Sequence, residues 1–255
     1  MFSSQFLQRI IKNIEMSLMM RNTKFFYLFV AIIFAFLQIS NPLLDVNTNK
    51  MIEDRILPLS EDAGESYINQ IYFVGDSTTY HFHKVGINLS HILIPDSLTL
   101  RLDSRIDEIS VLPYNKSIAE TLKQADASIC IITIGVNGAD TFSERAFKTY
   151  YKKLISSIKN QSTNTRIILQ SVFPVAMWYS EEKHGITNNG INRINGWIQE
   201  LAIEEGLYYL DTQSVLKNEN GALIEEYEVG DGVHINALGY NKIIEYIRTH
   251  ALIEE

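Results

Sequence analysis

Cysteine is almost absent from the chain, and Cys130 is the only one among 255 residues. A single thiol forms no intramolecular disulfide and no cysteine-rich metal centre. Cys130 lies within the apolar stretch SICIITIG, where a small buried core residue is much commoner than a reactive thiol. The scarcity of cysteine therefore excludes a disulfide scaffold.

Positive charge is also scarce, with 22 Lys and Arg residues against 30 Asp and Glu residues and a net charge of −8. Binding to nucleic-acid phosphates needs a basic surface, so we expect no nucleic-acid partner. The apolar fraction of 46% and the charged fraction of 20% are those of an ordinary folded domain. Internal repeats and low-complexity tracts are lacking, and we expect a globular fold.

One long apolar run lies near the N-terminus. Residues 25–37, FFYLFVAIIFAFL, carry no charge and follow the basic residues Arg21 and Lys24. Extended to Leu44, the stretch approaches the roughly 20 residues that span a bilayer. A basic region followed by an apolar run is typical of a membrane-targeting segment. Because the run is apolar all round, it does not fit a core helix with one buried face.

Cleavage decides between a signal peptide and a permanent anchor. Signal peptidase requires small residues in an Ala-x-Ala-like pattern, which residues 38–40, Gln-Ile-Ser, match poorly. We therefore favour an uncleaved anchor. The basic residues place the N-terminus in the cytoplasm by the positive-inside rule, so the domain that follows would be extracellular. If the segment is cleaved, this domain would be secreted. The predicted parts are a cytoplasmic tail at 1–24, a transmembrane signal-anchor at 25–44, a linker at 45–66 and a folded domain at 67–255.

The rest of the sequence alternates between strand and helix patterns. Short apolar runs predict strands at 69–75, 127–135, 165–172 and 207–211. Apolar residues at three- and four-residue spacing predict helices at 116–125, 143–160, 189–206 and 237–252. This alternation predicts an α/β domain whose mostly parallel sheet lies between layers of helices. Ligands bind such folds at the carboxyl ends of the strands.

Residues suited to acyl transfer lie at these ends: Ser77, Asn137, and the pair Asp231 and His234 before the last helix. A serine needs a base to become a nucleophile, an imidazole supplies one, and a carboxylate orients the imidazole. An Asn amide can donate to a developing oxyanion. Each residue alone has a plainer interpretation, such as a helix cap for Ser77. Together they favour a hydrolase site.

Three motifs resemble the blocks of the SGNH hydrolases, also called GDSL esterases and lipases. The motifs are VGDSTTY at 74–80, IGVNGAD at 134–140 and DGVHINALGY at 231–240. The resemblance extends over about residues 69–251 and implies a flavodoxin-like, three-layer α/β/α fold that needs no cofactor. It further implies a catalytic triad of Ser77, Asp231 and His234. The oxyanion hole would use the Ser77 N–H and the Asn137 side chain.

Two positions depart from the family pattern. Gly138 stands where an acid usually follows the Asn, so we expect altered anchoring of that loop rather than lost chemistry. The family's second block supplies a glycine N–H to the oxyanion hole and should lie between Ser77 and Gly135. Gly86 comes too soon after the nucleophile, and the stretch 94–102 is our candidate replacement.

The resemblance implies an esterase whose partner is a small-molecule or glycan ester. We expect a short acyl group, acetyl, on a cell-surface carbohydrate, because the domain has no obvious lid insertion and is predicted to face outward. Trp178 and Tyr179, in the loop 174–190, either stack on a sugar ring or pack that loop onto the domain. A long-chain lipid ester is the alternative substrate. The alternative functions are an O-acyltransferase that uses the same triad on a polysaccharide and a non-catalytic binding domain that keeps the fold.

Three histidines, His81, His83 and His91, raise the question of a metal site. His81 and His83 are two residues apart, which places them on one face only in a strand. No carboxylate stands beside them at a familiar ligand spacing. We therefore interpret the three as loop or surface residues near the pocket and predict no metal site.

Overall fold

Short apolar strands build the sheet at the centre of the domain. The computed structural model describes residues 55–95, 97, 102–182 and 185–252. The strands within these ranges are β1 Ile71–Gly75, β2 His91–Pro95, β3 Ser110–Leu112, β4 Lys116–Ser117, β5 Ile129–Thr133, β6 Arg166–Gln170 and β7 Tyr208–Leu210. They pair in the order β4-β3-β2-β1-β5-β6-β7.

The sheet is mostly parallel. β1 pairs in parallel with β2 on one side and β5 on the other, and β6 and β7 continue the parallel series. β3 and β4 form an antiparallel edge beyond β2. Gly75 pairs with Thr133, and each is the last residue of its strand. The loops that follow β1 and β5 therefore leave the sheet side by side.

Helices connect the strands and cover both faces of the sheet. The described helices are α1 Gly64–Ile68, α2 Ser77–Lys84, α3 Ile118–Gln124, α4 Glu144–Gln161, α5 Met177–Glu181, α6 Asn188–Glu204 and α7 Ala237–Thr249. Ser143 and Thr187 cap α4 and α6, because each side chain accepts a hydrogen bond from a backbone N–H of the first turn. Gly206, at φ +66°, follows the end of α6 and supplies the left-handed residue that the sequence predicts there.

Alternate strand residues enter two hydrophobic clusters, one on each face of the sheet. Val74 and Ile132 pack on the face covered by α3, α4 and α6, together with the fully buried Cys130. Phe73 and Ile131 pack on the face covered by α1, α2 and α7. The domain is therefore the predicted three-layer α/β/α fold with a mostly parallel central sheet.

The four strands that the sequence predicts all form, and each is shorter than its predicted range. The sequence does not predict β2, β3 and β4. β3 has three residues and β4 has two, which is too few for a periodic pattern. β2 begins at His91 and ends at Pro95, and a proline argues against a strand inside a sheet. Pro95 is tolerated because it is the last residue of its strand.

Part of the predicted linker at 45–66 packs onto the domain. Ile56 forms a parallel bridge with Tyr209 of β7, and only 4% of the surface of Leu57 is exposed. An extended segment thus adds to the free edge of β7, and the domain begins before residue 67.

The predicted cytoplasmic tail at 1–24 and signal-anchor at 25–44 lie outside the described residues. Within the part of the chain that is described, no helix has the length and apolar character needed to cross a bilayer.

Candidate active site

Ser77 is the first residue of α2 and follows directly on the end of β1. The N-cap of this helix is Asp76, whose carboxylate accepts hydrogen bonds from the Thr78 N–H at 3.0 Å and from Thr78 Oγ1 at 2.8 Å. The interpretation of Ser77 as a cap is therefore wrong, because the capping position lies one residue earlier. The Ser77 side chain is half-buried, and its hydroxyl makes no hydrogen bond with the described residues.

Gly75 allows α2 to begin this close to the sheet. A Cβ atom at residue 75 would lie 1.8 Å from Thr79 Oγ1 and 2.9 Å from the carbonyl oxygen of Thr133. No side chain fits in that gap. The glycine of the Gly-Asp-Ser motif is thus a packing requirement for the position of Ser77.

Asn137 lies half-buried in the loop after β5. Its Nδ2 donates a hydrogen bond to Asp76 Oδ2 at 3.1 Å, which ties the loop after β5 to the loop after β1. The amide carries two N–H groups, so the second remains available to a substrate oxygen. The backbone N–H of Ser77 lies at the N-terminus of α2, where the partial positive charge favours an anion. These two donors can together stabilise an oxyanion.

Asp76 is buried at the centre of these contacts, with 1% of its surface exposed. Burial raises the pKa of the Asp76 carboxyl to about 6, although the Thr78 hydrogen bonds and the positive charge of His234 act in the opposite direction. The effect of His234 follows from its closeness to the loop after β1. Asp76 positions Asn137 and the start of α2, and it is not one of the predicted triad residues.

Asp231 and His234 form a hydrogen-bonded pair in the segment 228–235, which we call the Asp–His loop. Asp231 Oδ2 lies 2.7 Å from His234 Nδ1. An ionised carboxylate only accepts, so Nδ1 carries the proton and Nε2 is the basic nitrogen. Partial burial raises the pKa of Asp231, but the N–H groups of His234 and Val233 and the His234 ring outweigh it and hold that pKa below its usual value. Asp231 is therefore charged at neutral pH.

Glu228 and Gly232 determine the shape of the Asp–His loop. The Glu228 carboxylate accepts hydrogen bonds from the N–H groups of Gly230 and Gly232. Gly232 has φ +79°, and a Cβ atom there would lie 2.6 Å from Tyr179 Cβ and 2.8 Å from Trp178 Cζ2. Trp178 and Tyr179 of α5 thus pack on the loop, and 43% of the surface of Trp178 remains exposed.

Contacts of His81 connect the Asp–His loop to α2. His81 follows Ser77 by one helical turn, and its ring stacks on the ring of His234 with centroids 4.6 Å apart and planes at 27°. His81 Nδ1 also lies 3.1 Å from the carbonyl oxygen of Ile235. No hydrogen bond joins Ser77 to His234 within the described part of the chain. Such a bond often forms only when substrate is bound.

The structure excludes Gly86 as an oxyanion donor. Gly86 follows the C-terminal end of α2 at φ +83°, and its N–H donates to the His83 carbonyl at 3.1 Å. Ser77 is at the other end of this helix, whose eight residues span about 12 Å. Within the candidate replacement at 94–102, residues 96 and 98–101 lie outside the described part of the chain. The second backbone donor in that stretch remains a prediction.

Asp140 anchors the loop that carries Asn137. Asp140 Oδ1 accepts a hydrogen bond from Thr187 Oγ1 at 2.7 Å, where Thr187 is the N-cap of α6. Gly190 permits this approach, since a Cβ there would lie 2.1 Å from Asp140 Oδ1. In the family pattern, an acid directly follows the Asn of this block. In this chain Gly138 stands there, and the acid that anchors the loop, Asp140, comes two residues later.

The three histidines are predicted to be loop or surface residues, and they lie in regular elements instead of loops, with His83 exposed and His81 and His91 half-buried. His81 and His83 belong to α2, and His91 of β2 stacks on Tyr72 with ring centroids 4.2 Å apart. Among the described residues, no cluster of three or more His, Cys, Asp or Glu side chains could hold a metal ion. The contact of His81 with His234 is not predicted from the sequence, although a helix beginning at Ser77 places His81 one turn further along the same face.

Comparisons with solved structures find chains that are similar to this one at low sequence identity. Among solved structures, a Streptococcus pneumoniae protein provisionally described as platelet activating factor is 20% identical, with 83% of this chain and 96% of that chain covered and a TM-score of 0.50. A GDSL-like lipase from Bacteroides thetaiotaomicron is 18% identical, covering 73% and 89% with a TM-score of 0.48. A lipase/acylhydrolase from Enterococcus faecalis is 15% identical, covering 72% and 98% with a TM-score of 0.46.

At 20% identity, the similarity to the Streptococcus pneumoniae structure supports the fold and not a function. No curated protein is significantly similar to this chain in sequence. The family model described as GDSL-like lipase/acylhydrolase matches residues 73–242, which is more than half of the chain and includes all three motifs. The chain therefore belongs to the GDSL-like lipase/acylhydrolase family.

Proposed function

We propose that this chain is a serine esterase in which Ser77 is the nucleophile, His234 the general base and Asp231 the carboxylate that orients the base. The observation that carries the proposal is the 2.7 Å contact of Asp231 with His234, whose ring stacks on the ring of His81 in the helix that begins at Ser77. Membership of an acylhydrolase family supports ester chemistry for this arrangement.

The proposed reaction has two steps that use the same groups. His234 Nε2 takes the Ser77 proton as Oγ attacks the ester carbonyl, and the oxyanion accepts hydrogen bonds from the Ser77 N–H and the Asn137 amide. The alcohol leaves with the proton held by His234. Water then loses a proton to His234 and attacks the acyl-enzyme, and Ser77 is restored as the acid departs.

The proposed substrate is a short ester, an acetyl group on a carbohydrate. The exposed indole of Trp178, packed beside the Asp–His loop, supports this proposal because an aromatic face can stack on a sugar ring. The proposed location is the outer face of a membrane, with residues 25–44 as the anchor. This location would give the enzyme access to cell-surface polysaccharide.

The test compares the full chain with Ser77→Ala and Asp231→Asn on p-nitrophenyl acetate, butyrate and octanoate, and on an acetylated polysaccharide. We expect the acetate esters to react with the highest kcat/KM. Asp231→Asn should lower kcat by about 10⁴-fold, and Ser77→Ala by at least as much, as in well-studied triads. Equal turnover by Ser77→Ala would refute the proposal. A transferase would instead be identified if mass spectrometry showed acetyl groups on an added oligosaccharide and less free acetate were released.

A further inference from the structure

His81 makes two contacts with the Asp–His loop, one through a proton and one through its ring. Its Nδ1 lies 3.1 Å from the carbonyl oxygen of Ile235, the residue that follows His234. A carbonyl oxygen only accepts, so Nδ1 of His81 carries a proton. Its ring also lies 4.6 Å from the His234 ring, within the range of stacked aromatic pairs.

The two contacts restrain different motions of His234. The hydrogen bond to Ile235 fixes the backbone of the Asp–His loop against α2, the helix that begins with Ser77. The ring contact limits rotation of the His234 imidazole about its side-chain torsions. The Asp231 bond alone fixes one nitrogen of that imidazole and leaves the ring free to pivot about the bond.

The surroundings of His81 favour a neutral ring. The groups that face it are His234 and Asp231 of the Asp–His loop, Tyr240 of α7 and Lys84 of its own helix. Burial, and next the charge of His234, lower the pKa of His81, against the smaller opposing effects of the Ile235 carbonyl and Asp231. A neutral ring can lie against His234 without repulsion when His234 becomes an imidazolium during the reaction.

We propose that His81 is a positioning residue of this esterase, holding the His234 imidazole in the orientation that presents Nε2 to Ser77. The inference rests on the proposed role of His234 as the base. His81 touches the base and not the reacting atoms, so its effect is on the geometry of proton transfer. In wild type both imidazoles carry their proton on Nδ1.

Three substitutions separate the two contacts in the full chain. His81→Asn keeps a donor near the position of Nδ1 and removes the ring, whereas His81→Phe keeps the ring and removes the donor. His81→Ala removes both. His83→Ala is the matched control, because His83 is an exposed histidine two residues along the same helix and does not face the Asp–His loop.

The kinetic readout is the separation of kcat from KM for p-nitrophenyl acetate. We expect His81→Ala to lower kcat about 10- to 100-fold with KM within twofold, since a misplaced catalytic group has an effect of this size. His81→Asn and His81→Phe should each recover part of the loss, and His83→Ala should equal wild type. Should His81→Ala fail to fold, the Asn and Phe variants decide. The proposal is overturned if kcat of the folded His81 variants stays within twofold of wild type, or if His83→Ala loses as much.

A second readout does not depend on turnover. The ¹⁵N spectrum of the His234 imidazole, recorded on the full chain, should show one tautomer with the proton on Nδ1 in wild type and His83→Ala. It should show broadened signals in His81→Ala, because the ring then moves more freely about the Asp231 bond that still holds the proton on Nδ1. Unchanged His234 signals in all three His81 variants would overturn the positioning role. A wild-type chain that hydrolyses no ester but shows the predicted spectra would refute the esterase proposal and leave the His81 contact established.

Discussion

At the scale of single residues, burial and hydrogen bonding have opposite effects on the pKa of Asp76. The carboxyl group is buried beneath the start of α2, and burial raises its pKa from 3.8 to about 6 despite the donors that face it. The folded chain therefore keeps the Asp76 proton at pH values where the unfolded chain has lost it. The stability from this proton is fully present below pH 3.8 and is lost as the pH rises through about 6.

Asp76→Asn removes this titration, so its free energy of unfolding should lack the loss that wild type shows between pH 4 and pH 6. The raised pKa corresponds to a relative change of about 3 kcal/mol over that interval. Urea unfolding of both chains at several pH values measures the difference. Parallel curves for the two chains would contradict the pKa assigned to Asp76. The difference at any single pH also contains the exchanged hydrogen bonds, so the test compares the change of unfolding free energy between pH 4 and pH 6 in each chain.

Trp178 offers a residue-scale test of the substrate. Trp178→Ala should raise KM for an acetylated polysaccharide about five- to tenfold, equivalent to about 1 kcal/mol, because a stacking surface is lost. KM for p-nitrophenyl acetate should not change, since that substrate has no sugar. Tyr114→Ala is the control, because Tyr114 is 42% exposed, close to the 43% of Trp178, and lies at the β3–β4 edge. An equal change of KM in both variants would exclude a sugar-binding role for Trp178.

At the scale of elements, two glycines of this chain should respond in opposite ways to the same substitution. Gly75→Ala places a methyl group against the Thr133 carbonyl and Thr79, and we expect a loss of about 2 kcal/mol or more of unfolding free energy. Gly196 lies within α6, and a Cβ there would meet nothing within 4 Å. Gly196→Ala should add about 0.5–1 kcal/mol through helix propensity.

Thermal unfolding of the two glycine variants beside wild type checks both signs. Esterase activity should fall with Gly75→Ala, because α2 and Ser77 must shift, and stay unchanged with Gly196→Ala. A Gly75→Ala chain as stable and as active as wild type would refute the claim that glycine is needed where the helix meets the sheet.

The elements differ in how far sequence alone could predict them. Long amphipathic patterns and continuous apolar runs predict α4, α6, α7, β1 and β5, because period and burial coincide there. β3 and β4 are too short for a periodic signal. The motifs predict the site residues, but they leave Ser77 and its neighbour Asp76 as rival caps of α2, since both residue types are favoured N-caps. The cap is decided locally, by the hydrogen bonds of Asp76 with Thr78. Sequence could not reveal that His81 meets His234, because that contact depends on how α2 packs against a loop more than 140 residues later in the chain.

At the scale of the whole molecule, residues 55–66 belong to the folded domain. The described residues, 55–252 with the gaps given above, lie in one compact unit. Leu57 is buried, and its N–H donates to the Tyr209 carbonyl at 2.9 Å along the β7 edge. A protein beginning at residue 67 should lose about 2 kcal/mol or more of unfolding free energy relative to one beginning at residue 52, from the burial of Leu57 alone. Equal urea midpoints would show that this edge segment adds nothing.

Labelling with a fluorophosphonate probe tests directly whether Ser77 is an activated nucleophile, because the probe reacts with a serine that a base activates. The full chain, Ser77→Ala and His234→Ala would each be treated and their intact masses compared. We expect one adduct on wild type, located on Ser77 by peptide mapping and absent from both variants. Two results would contradict the role of Ser77 as a nucleophile activated by His234. The first is a folded wild-type chain that forms no adduct, and the second is a His234→Ala chain that is labelled at the wild-type rate.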